Sequence, residues 1–336
     1  MEESQVRQAP AASDSRRRTV VVTGASSGIG KAAAIEFVRR NNNVVAVARS
    51  QKGLDELSRE CESLDGELLV QAIDVTERDG LSRVAEHAVE WFGRIDMWIN
   101  NAAITMFGRL ENLPMDGLER VLDTNVIGYI HGARAAIPYF RKQGEGVLVN
   151  VSSIVGKTGQ PFTIPYTISK AAIISLSDCL RMELQDAPGI HVCTVIPPSI
   201  DTPLFQHGAN YSGFAIKPMD PVYSADRVVR ALVKLADCPK REVFIGGMGV
   251  LSAAARKVAP SALERMMAKK VRQAHFQNRV SEHYPGNLFE PDDKWISISG
   301  GWTGEEEERH IETSRLAIGF GALAVGIGAI GWLYSR

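Results

Sequence analysis

Tyr166 and Lys170 are the two residues whose types and spacing first suggest chemistry. They lie four residues apart at the start of a stretch with helical period, so their side chains share one helix face, about one turn apart. An ammonium group beside a phenol favours tyrosinate and lowers the phenol pKa from its ordinary value of about 10. The pair therefore predicts a proton donor and acceptor near neutral pH. A solvated helix face with the same spacing is the alternative.

A glycine-rich turn follows the first apolar run of the chain and leads into a helical stretch. It reads Thr23-Gly24-Ala25-Ser26-Ser27-Gly28-Ile29-Gly30. Glycines in such a turn let the backbone approach a pyrophosphate, and the N-terminal end of a helix favours negative charge. The spacing GxxxGxG differs from the general dinucleotide fingerprint GxGxxG. The turn predicts an anion site, with a simple turn as the alternative.

The ends of the second and third apolar runs bear on the choice of nucleotide. The second run ends in Arg49, where an NAD-specific site usually has an acidic residue for the ribose hydroxyl. A guanidinium there can bind a 2'-phosphate, which favours NADP(H) over NAD(H); a solvated arginine at a strand end is the alternative. Asp74, just past the third run, is placed to accept a hydrogen bond from an adenine amine, although Asp is also a common turn residue.

The elements that must position these residues alternate along the chain. Short apolar runs suit strands buried on both faces, and the longer stretches between them suit crossover helices. The pattern predicts an α/β fold, a doubly wound (Rossmann) parallel sheet of about seven strands with helices on both faces, plus a C-terminal hydrophobic helix. The predicted strands are 20–22, 44–47, 68–73, 95–99, 147–151, 192–196 and 243–245, and the predicted helices are 31–40, 78–92, 118–141, 168–184 and 225–236.

Composition limits the class of protein. With 336 residues, 45% of them apolar and 23% charged, the chain is typical of a globular protein and excludes wholesale disorder, collagen-like architecture and a coiled coil. The 38 basic and 39 acidic residues give no global field for nucleic acid. The four cysteines are scattered without a CxxC pair or clustered histidines, which predicts neither disulfides nor a metal site. They are Cys61, Cys179, Cys193 and Cys238.

The chain divides into five predicted segments. The segment after the last strand is basic, with seven basic residues against one acidic residue in 252–280, and it is predicted to form a helix that either lies against anionic lipid or is simply a solvated face. The segments are a disordered arm (1–17), a nucleotide-binding catalytic domain (18–250), a basic helical extension (251–280), a linker (281–314) and a transmembrane helix (315–334).

The predicted membrane helix is an uncharged run near the C-terminus. Residues 316–333, as a helix, would span about 27 Å, close to the thickness of the hydrocarbon core of a bilayer. Trp332 and Tyr334 stand where interfacial aromatic anchors are expected. The first twenty residues are polar and exclude a secretory signal peptide. We expect a single-pass C-terminal anchor with the catalytic domain facing the cytosol; a soluble tail helix docked on the protein or on a partner copy is the alternative.

Several ordered motifs together resemble the short-chain dehydrogenase/reductase family. Besides the glycine turn (TGxxxGIG) and the YxxxK pair, the chain has Asn100-Asn101-Ala102-Ala103, Asn125-Val126-Ile127-Gly128 and Ser152-Ser153, each after the expected strand. The resemblance spans residues 18 to about 250. Two positions differ from the usual motifs of the family. Ala103 stands where the NNAG motif ends in glycine, and Pro198 stands where a Pro-Gly pair has glycine. The first change adds a methyl group, and the second stiffens the loop that leads to Thr202.

The resemblance implies an NADP(H)-dependent oxidoreductase that interconverts a carbonyl and a secondary alcohol, with no metal and with a homodimer or homotetramer as the expected assembly. Tyr166 would be the general acid and base, and Ser153 would polarise the carbonyl oxygen. Lys170 would bind the nicotinamide ribose and lower the Tyr166 pKa, while Asn125 would hold a water of a proton relay. The implied cofactor-binding residues are Thr23, Gly24, Ser26, Ser27, Gly28, Ile29, Gly30, Arg49, Asp74, Val75, Asn101, Ala102, Tyr166, Lys170 and Thr202.

Residues 203–221 stand where the family places its substrate lid. They are apolar and aromatic, with His207 among the few polar residues, which predicts a lipophilic carbonyl or alcohol substrate; closure of the core over the cofactor is the alternative. His207 is interpreted as a surface residue. A non-catalytic NADP(H)-binding scaffold or redox sensor is a second functional hypothesis, disfavoured by the intact catalytic residues. A sugar-nucleotide epimerase or dehydratase is disfavoured by the short region after the sixth strand.

Overall fold

The computed structural model describes residues 17–247 and 260–303. Within them, seven parallel strands form one sheet in the order β10-β7-β6-β4-β1-β2-β3, as the predicted doubly wound fold requires. Two short strand pairs, β5 with β8 and β9 with β11, lie outside it. In chain order the strands are β1 (Thr19–Thr23), β2 (Asn43–Ala48), β3 (Glu67–Ala72), β4 (Met97–Asn100), β5 (Met106–Phe107), β6 (Gly146–Val151), β7 (Ile190–Ile196), β8 (Ala209–Asn210), β9 (Phe214–Ile216), β10 (Glu242–Phe244) and β11 (Phe276–Val280).

Helices cover both faces of the large sheet. Val20 and Val22 of β1 face a core that includes Phe37 and Leu232, whereas Val21 faces the opposite core. All three valines are fully buried, because successive side chains of a strand point to opposite faces and both faces are covered. The α-helices are α1 (Gly28–Arg39), α2 (Gln51–Cys61), α3 (Gly80–Phe92), α4 (Met115–Leu122), α5 (Gly128–Gln143), α6 (Val155–Thr158), α7 (Ile164–Glu183), α8 (Leu204–His207), α9 (Ala225–Asp237) and α10 (Pro260–Ala274); a 3-10 turn covers Leu110–Asn112 and a π-helical turn Asp123–Ile127.

The strand order reverses at β1, which pairs with β2 on one side and β4 on the other. The chain winds outward from this point in both directions, so the loops after β1 and β4 diverge and leave a crevice at the carboxyl ends of the strands. Ligands of open α/β sheets bind in such a crevice. The glycine turn follows β1 directly, which places it at this position.

The C-terminal part of the described chain returns to the crevice. Within the predicted basic extension, α10 begins at Pro260, and β11 then pairs with β9. Residues 281–303, inside the segment predicted to be a linker, are hydrogen-bonded to residues that follow the strands, among them Gly28, Arg49 and Asp201. None of the helices within 17–247 and 260–303 is long and apolar enough to cross a bilayer. The predicted membrane helix at 315–334 lies outside the described residues.

Candidate active site

A cavity of about 330 Å³ lies at the carboxyl ends of the central strands. It brings together most of the residues that the sequence predicts for the site. Three predicted residues do not line it, namely Thr23, Gly30 and Asn125. The predicted residues that line it are Gly24, Ser26, Ser27, Gly28, Ile29, Arg49, Asp74, Val75, Asn101, Ala102, Ser153, Tyr166, Lys170 and Thr202. One cavity therefore contains both the glycine turn and the Tyr166–Lys170 pair; the end at Tyr166 is called the reacting end.

The glycine turn is packed directly against the loop after β4. Gly24 has a φ of 70°, and a Cβ atom added there would stand 2.7 Å from the Cα atom of Ala102. Thr23 fixes the same contact, since its Oγ1 accepts hydrogen bonds from the backbone N–H groups of Asn101 at 2.9 Å and Ala102 at 3.2 Å. Only glycine fits both the conformation and the space. The cradle beside the start of α1 suits the pyrophosphate of a dinucleotide.

Ser153 and Tyr166 meet at the other end of the cavity. Ser153 follows β6 and Tyr166 lies in the first turn of α7, and both side chains line the cavity. The Ser153 hydroxyl donates to the Pro197 carbonyl oxygen at 3.4 Å. Burial raises the pKa of Tyr166 to about 12, against the opposing effect of the nearby Ser153 hydroxyl. The expected lowering of this pKa is therefore wrong for the chain without cofactor, because desolvation of the phenolate outweighs the interaction with Ser153.

Lys170 is anchored below Tyr166, one helical turn along α7. Its Nζ donates to the Tyr129 hydroxyl at 3.1 Å and to the Val151 carbonyl oxygen at 2.9 Å, and it lies 5.5 Å from the centre of the Tyr166 ring. The side chain is 1% exposed, and burial lowers the Lys170 pKa to about 7. Tyr129 is a site residue that the sequence reasoning missed, although it stands four positions after Asn125 on the same helical run.

Asn125 lies in the π-helical turn between α4 and α5 and is fully buried. Its side chain donates to the Ile104 carbonyl oxygen at 2.9 Å, accepts from the Ile104 N–H at 2.9 Å, and donates to Ser169 Oγ at 3.0 Å. These contacts tie the loop after β4 to α7. A π-helical insertion often marks a functional position. The predicted relay water remains a prediction. The observed contacts of Asn125 hold Ile104 and Ser169, the residue before Lys170, in fixed positions.

The end of the cavity beside Arg49 and Asp74 is more highly charged than the sequence predicts. The Asp74 carboxylate accepts hydrogen bonds from Thr76 and from Arg120, and its nearer oxygen is 3.9 Å from the Arg49 guanidinium. Burial opposes ionisation of Asp74, but the bonds from Thr76 and Arg120 outweigh it, so its pKa is below the ordinary value. Arg120, which the sequence reasoning missed, also donates to the Leu288 carbonyl oxygen at 2.9 Å.

A segment that we call the strap, residues 287–303, covers this end of the cavity. Arg49 donates to the carbonyl oxygens of Asn287 at 2.6 Å and of Leu288 and Phe289 at 3.2 Å each. Farther along, the Gly28 N–H of the glycine turn donates to the Ser297 carbonyl oxygen at 3.0 Å. These contacts were not predicted, because the Gly- and Pro-rich composition of the segment is typical of a linker. A sequence signal was nevertheless present, because apolar residues such as Leu288, which is fully buried, are unusual in a solvated linker.

The predicted lid supplies only part of the reacting end. Leu204, Phe205 and Met219 line the cavity, as does His207. The interpretation of His207 as a surface residue is wrong: the side chain is half-buried against the strap, and burial lowers its pKa. Other lining residues come from regions that the sequence reasoning did not assign, among them Phe107, Met267 and His275.

The departures from the family motifs are accommodated. Ala103 lines the cavity and is not among the residues with a positive φ, so its methyl group strains no backbone. Thr202, after the Pro197-Pro198 loop, is 7% exposed and also lines the cavity.

The sequence matches the family model described as short chain dehydrogenase over residues 18–210. The chain belongs to this family. Its members include the protein called uncharacterized oxidoreductase YxnA of Bacillus subtilis, which is 32% identical over 268 residues, 79% of this chain and 75% of that protein. The 3-oxoacyl-[acyl-carrier-protein] reductase FabG of Thermotoga maritima is 36% identical over 187 residues, 56% of this chain and 76% of that protein.

Solved structures of the family share the fold. The alcohol dehydrogenase of the archaeon Thermococcus sibiricus, solved as a complex with 5-hydroxy-NADP, superposes with a TM-score of 0.59 at 25% identity, covering 68% of this chain and 95% of that one. This short-chain dehydrogenase is thus an oxidoreductase of the type that uses NAD(P)(H), and the cradle and cavity described above fit such a cofactor.

Proposed function

We propose that this short-chain dehydrogenase is an NADP(H)-dependent enzyme that interconverts a lipophilic carbonyl compound and the corresponding secondary alcohol. The observation that carries the proposal is the placement of Ser153 and Tyr166 near each other in the same cavity as the glycine turn. A protein that only binds a nucleotide has no use for a buried proton donor at the far end of the cavity.

In the reducing direction, bound NADPH would supply the hydride that the carbonyl carbon receives, and the glycine turn and Arg49 would hold it. The Ser153 hydroxyl donates a hydrogen bond to the carbonyl oxygen and orients it. The Tyr166 hydroxyl transfers its proton to that oxygen as negative charge develops, so the product is a neutral alcohol and the enzyme is left with tyrosinate. Lys170 holds this tyrosinate electrostatically, and its hydrogen bond to Tyr129 fixes the ammonium below the ring. Reversal of each transfer gives alcohol oxidation.

The preference for NADP(H) is supported by Arg49, which lines the cavity at the end of β2. Arginine binds a phosphate dianion through two parallel hydrogen bonds, whereas a ribose hydroxyl has no charge for it to meet. The Asp74 carboxylate lies nearby but is already engaged by Arg120 and Thr76. The complex of the Thermococcus sibiricus relative with an NADP derivative is consistent with this preference.

The lipophilic substrate is supported by the walls of the reacting end. Phe107 and Phe205 stack with ring centres 6.2 Å apart, and Met219 and Met267 add flexible apolar surface. Apolar walls with a few polar groups are typical of pockets for small lipophilic ligands. The name of the Thermotoga relative, a 3-oxoacyl reductase, makes ketones on acyl chains a good first test.

The test is NADPH oxidation with a panel of steroids, retinoids, long-chain aldehydes and 3-oxoacyl compounds. Tyr166→Phe should lower kcat roughly 10²- to 10⁴-fold while leaving NADPH affinity unchanged, because it removes the proton and little else. Tyr139→Phe, on α5 and not among the residues that line the cavity, is the matched control and should keep full activity. Turnover retained by Tyr166→Phe refutes the assignment. Tight NADPH binding without turnover of any compound would favour the scaffold or sensor instead.

We further propose that the helix predicted at 315–334, whose residues from Leu316 onward are uncharged, anchors the enzyme in a membrane, with the catalytic domain in the cytosol. The proposal is supported by the length and apolar character of that run in the sequence. Fractionation of the full chain and of a chain truncated after Glu312 tests it. The full chain should sediment with membranes and the truncated chain should not; equal solubility of the two would refute the anchor.

A further inference from the structure

His275 is a buried histidine at the reacting end that the mechanism does not use. It follows α10 directly, is 1% exposed and lines the cavity that contains Ser153 and Tyr166. Within the described parts of the chain, its Nε2 atom has no hydrogen-bond partner. Buried polar groups are normally hydrogen-bonded, so an unpaired ring nitrogen at a ligand cavity indicates a partner that arrives with the ligand.

The backbone of Lys217 fixes both the position and the tautomer of His275. The Lys217 N–H donates to the His275 carbonyl oxygen at 3.0 Å, and His275 Nδ1 is hydrogen-bonded to the Lys217 carbonyl oxygen. A carbonyl oxygen can only accept, so Nδ1 carries the proton. Nε2 then presents a lone pair. Burial lowers the His275 pKa to about 4, which keeps the ring neutral at ordinary pH.

Aromatic side chains hold the ring in place. Phe107 and Phe205 meet His275 edge to face, with ring centres 5.2 Å and 5.8 Å away, and both also line the cavity. An acceptor in such apolar surroundings has little competition from water, so a hydrogen bond made there discriminates strongly between ligands with and without a donor. Phe107 and Phe205 themselves offer a substrate no conventional hydrogen-bonding group.

We propose that His275 Nε2 accepts a hydrogen bond from a hydroxyl or N–H group of the substrate, at a position remote from the carbonyl group that Tyr166 protonates. His275 is then a specificity-determining residue, and the substrate is an apolar carbonyl compound with a second, donor-bearing group. The inference rests on the proposed function in one respect, namely that the cavity accepts a carbonyl compound.

The test is a binding cycle that needs no turnover. Methyl ketones of increasing chain length, each with a terminal hydroxyl group, are compared with their methyl ethers by calorimetry on the full chain with NADP⁺, which cannot reduce them. For the best-fitting length, the wild type should bind the hydroxy ketone on the order of 3- to 10-fold more tightly. His275→Phe, which keeps the ring and removes the acceptor, should abolish this preference. His191→Gln, at an exposed position on β7, should keep it.

Steric differences between the two ligands cancel in the cycle, because the same pair is compared on both proteins. If His275→Phe does not fold, His275→Gln replaces it; its amide oxygen can partly keep the acceptor, so a reduced preference is expected. Equal binding of every ligand pair to the wild type, or a preference that survives in His275→Phe, overturns the subsite. If the preference depends on His275 but no compound is turned over, the subsite stands and the proposed function is rejected. If compounds are turned over but the wild type shows no preference, the proposed function stands and the subsite is rejected.

Discussion

Arg49 and Asn287 are separated by 238 positions in the chain, yet the Arg49 guanidinium donates to the Asn287 carbonyl oxygen at 2.6 Å. The strap therefore meets the same side chain that is proposed to bind the 2'-phosphate of NADP(H). Neutral carbonyl oxygens are weaker partners for a guanidinium than a phosphate dianion. In the proposed complex, the strap would hold Arg49 in position without out-competing the phosphate, and it would cover that end of the cavity from the outside.

Replacement of Arg49 by Gln should separate the two cofactors. We expect the dissociation constant for NADPH to rise roughly 10- to 100-fold, because a charge-assisted hydrogen bond to phosphate is lost, while that for NADH changes little. Titration of nucleotide fluorescence measures both constants. Arg59→Gln, on α2, is the control. An equal weakening for both nucleotides would show that Arg49 acts through the strap and not through the 2'-phosphate.

Replacement of Gly24 by Ala should weaken nucleotide binding. Gly93→Ala is a matched control, because Gly93 has a φ of 80° but nothing lies within 4 Å of an added Cβ atom. Both variants pay about 1 kcal/mol of left-handed backbone strain. Only Gly24→Ala also pushes a methyl group against the backbone at Ala102, so it should lose NADPH affinity more than 10-fold (on the order of 1–3 kcal/mol of overpacking). Equal affinities in the two variants would contradict the cradle.

The sequence predicted the sheet well because its signals are local. Residues such as Val20, Val21 and Val22 are buried on both faces of the sheet and need no distant partner to be recognised. The glycine turn and the Tyr166–Lys170 spacing are likewise short-range patterns. The strap and His275 could not be predicted in this way, since their roles depend on contacts with residues far away in the chain, such as Arg49 and Lys217.

The pKa values of Tyr166 and Lys170 could not be predicted from their spacing either. The YxxxK pattern fixes which groups are neighbours, but burial determines which protonation state is favoured. For Tyr166 and Lys170 burial favours the neutral form of both groups. The protein without cofactor thus has an intact proton donor and a lysine that titrates near neutral pH.

The Lys170 pKa of about 7 has a consequence for stability. In the unfolded chain the pKa of a lysine is about 10.4. Between about pH 7 and that value, the unfolded chain binds a proton at Lys170 that the folded chain does not. The contribution of Lys170 to the free energy of unfolding therefore rises with pH and is lost as pH falls. The free energy of unfolding of the cofactor-free wild type should gain roughly 1 kcal/mol per pH unit from this group, relative to Lys170→Met. Urea unfolding at about pH 7 and pH 9.5 measures the difference. Parallel pH profiles for the two proteins would contradict the shift.

The last turn of the described strap depends on one carboxylate. Asp201 is 4% exposed and accepts hydrogen bonds from the Ser299 hydroxyl at 2.7 Å, the Gly300 N–H at 3.0 Å, the Trp302 N–H at 3.0 Å and the Thr303 hydroxyl at 2.8 Å. Burial alone would raise the Asp201 pKa, but these bonds outweigh it and lower it. The stabilising contribution of Asp201 is therefore complete above the pKa that its carboxyl group has in the unfolded chain. It is lost as pH falls through the lower pKa of the folded protein.

Asp201→Asn should release this end of the strap at neutral pH, because an amide has half the acceptors and no charge. Hydrogen exchange at the Gly300 and Trp302 amides should become roughly 10- to 100-fold faster, the effect of losing 1–3 kcal/mol of local hydrogen bonding. Asp186→Asn, which removes an exposed ion pair with Arg141, should leave both amides unchanged. If the strap also retains the cofactor, NADPH should dissociate faster from Asp201→Asn at an unchanged association rate. Faster amide exchange with unaltered dissociation would confine the role of Asp201 to folding of the strap.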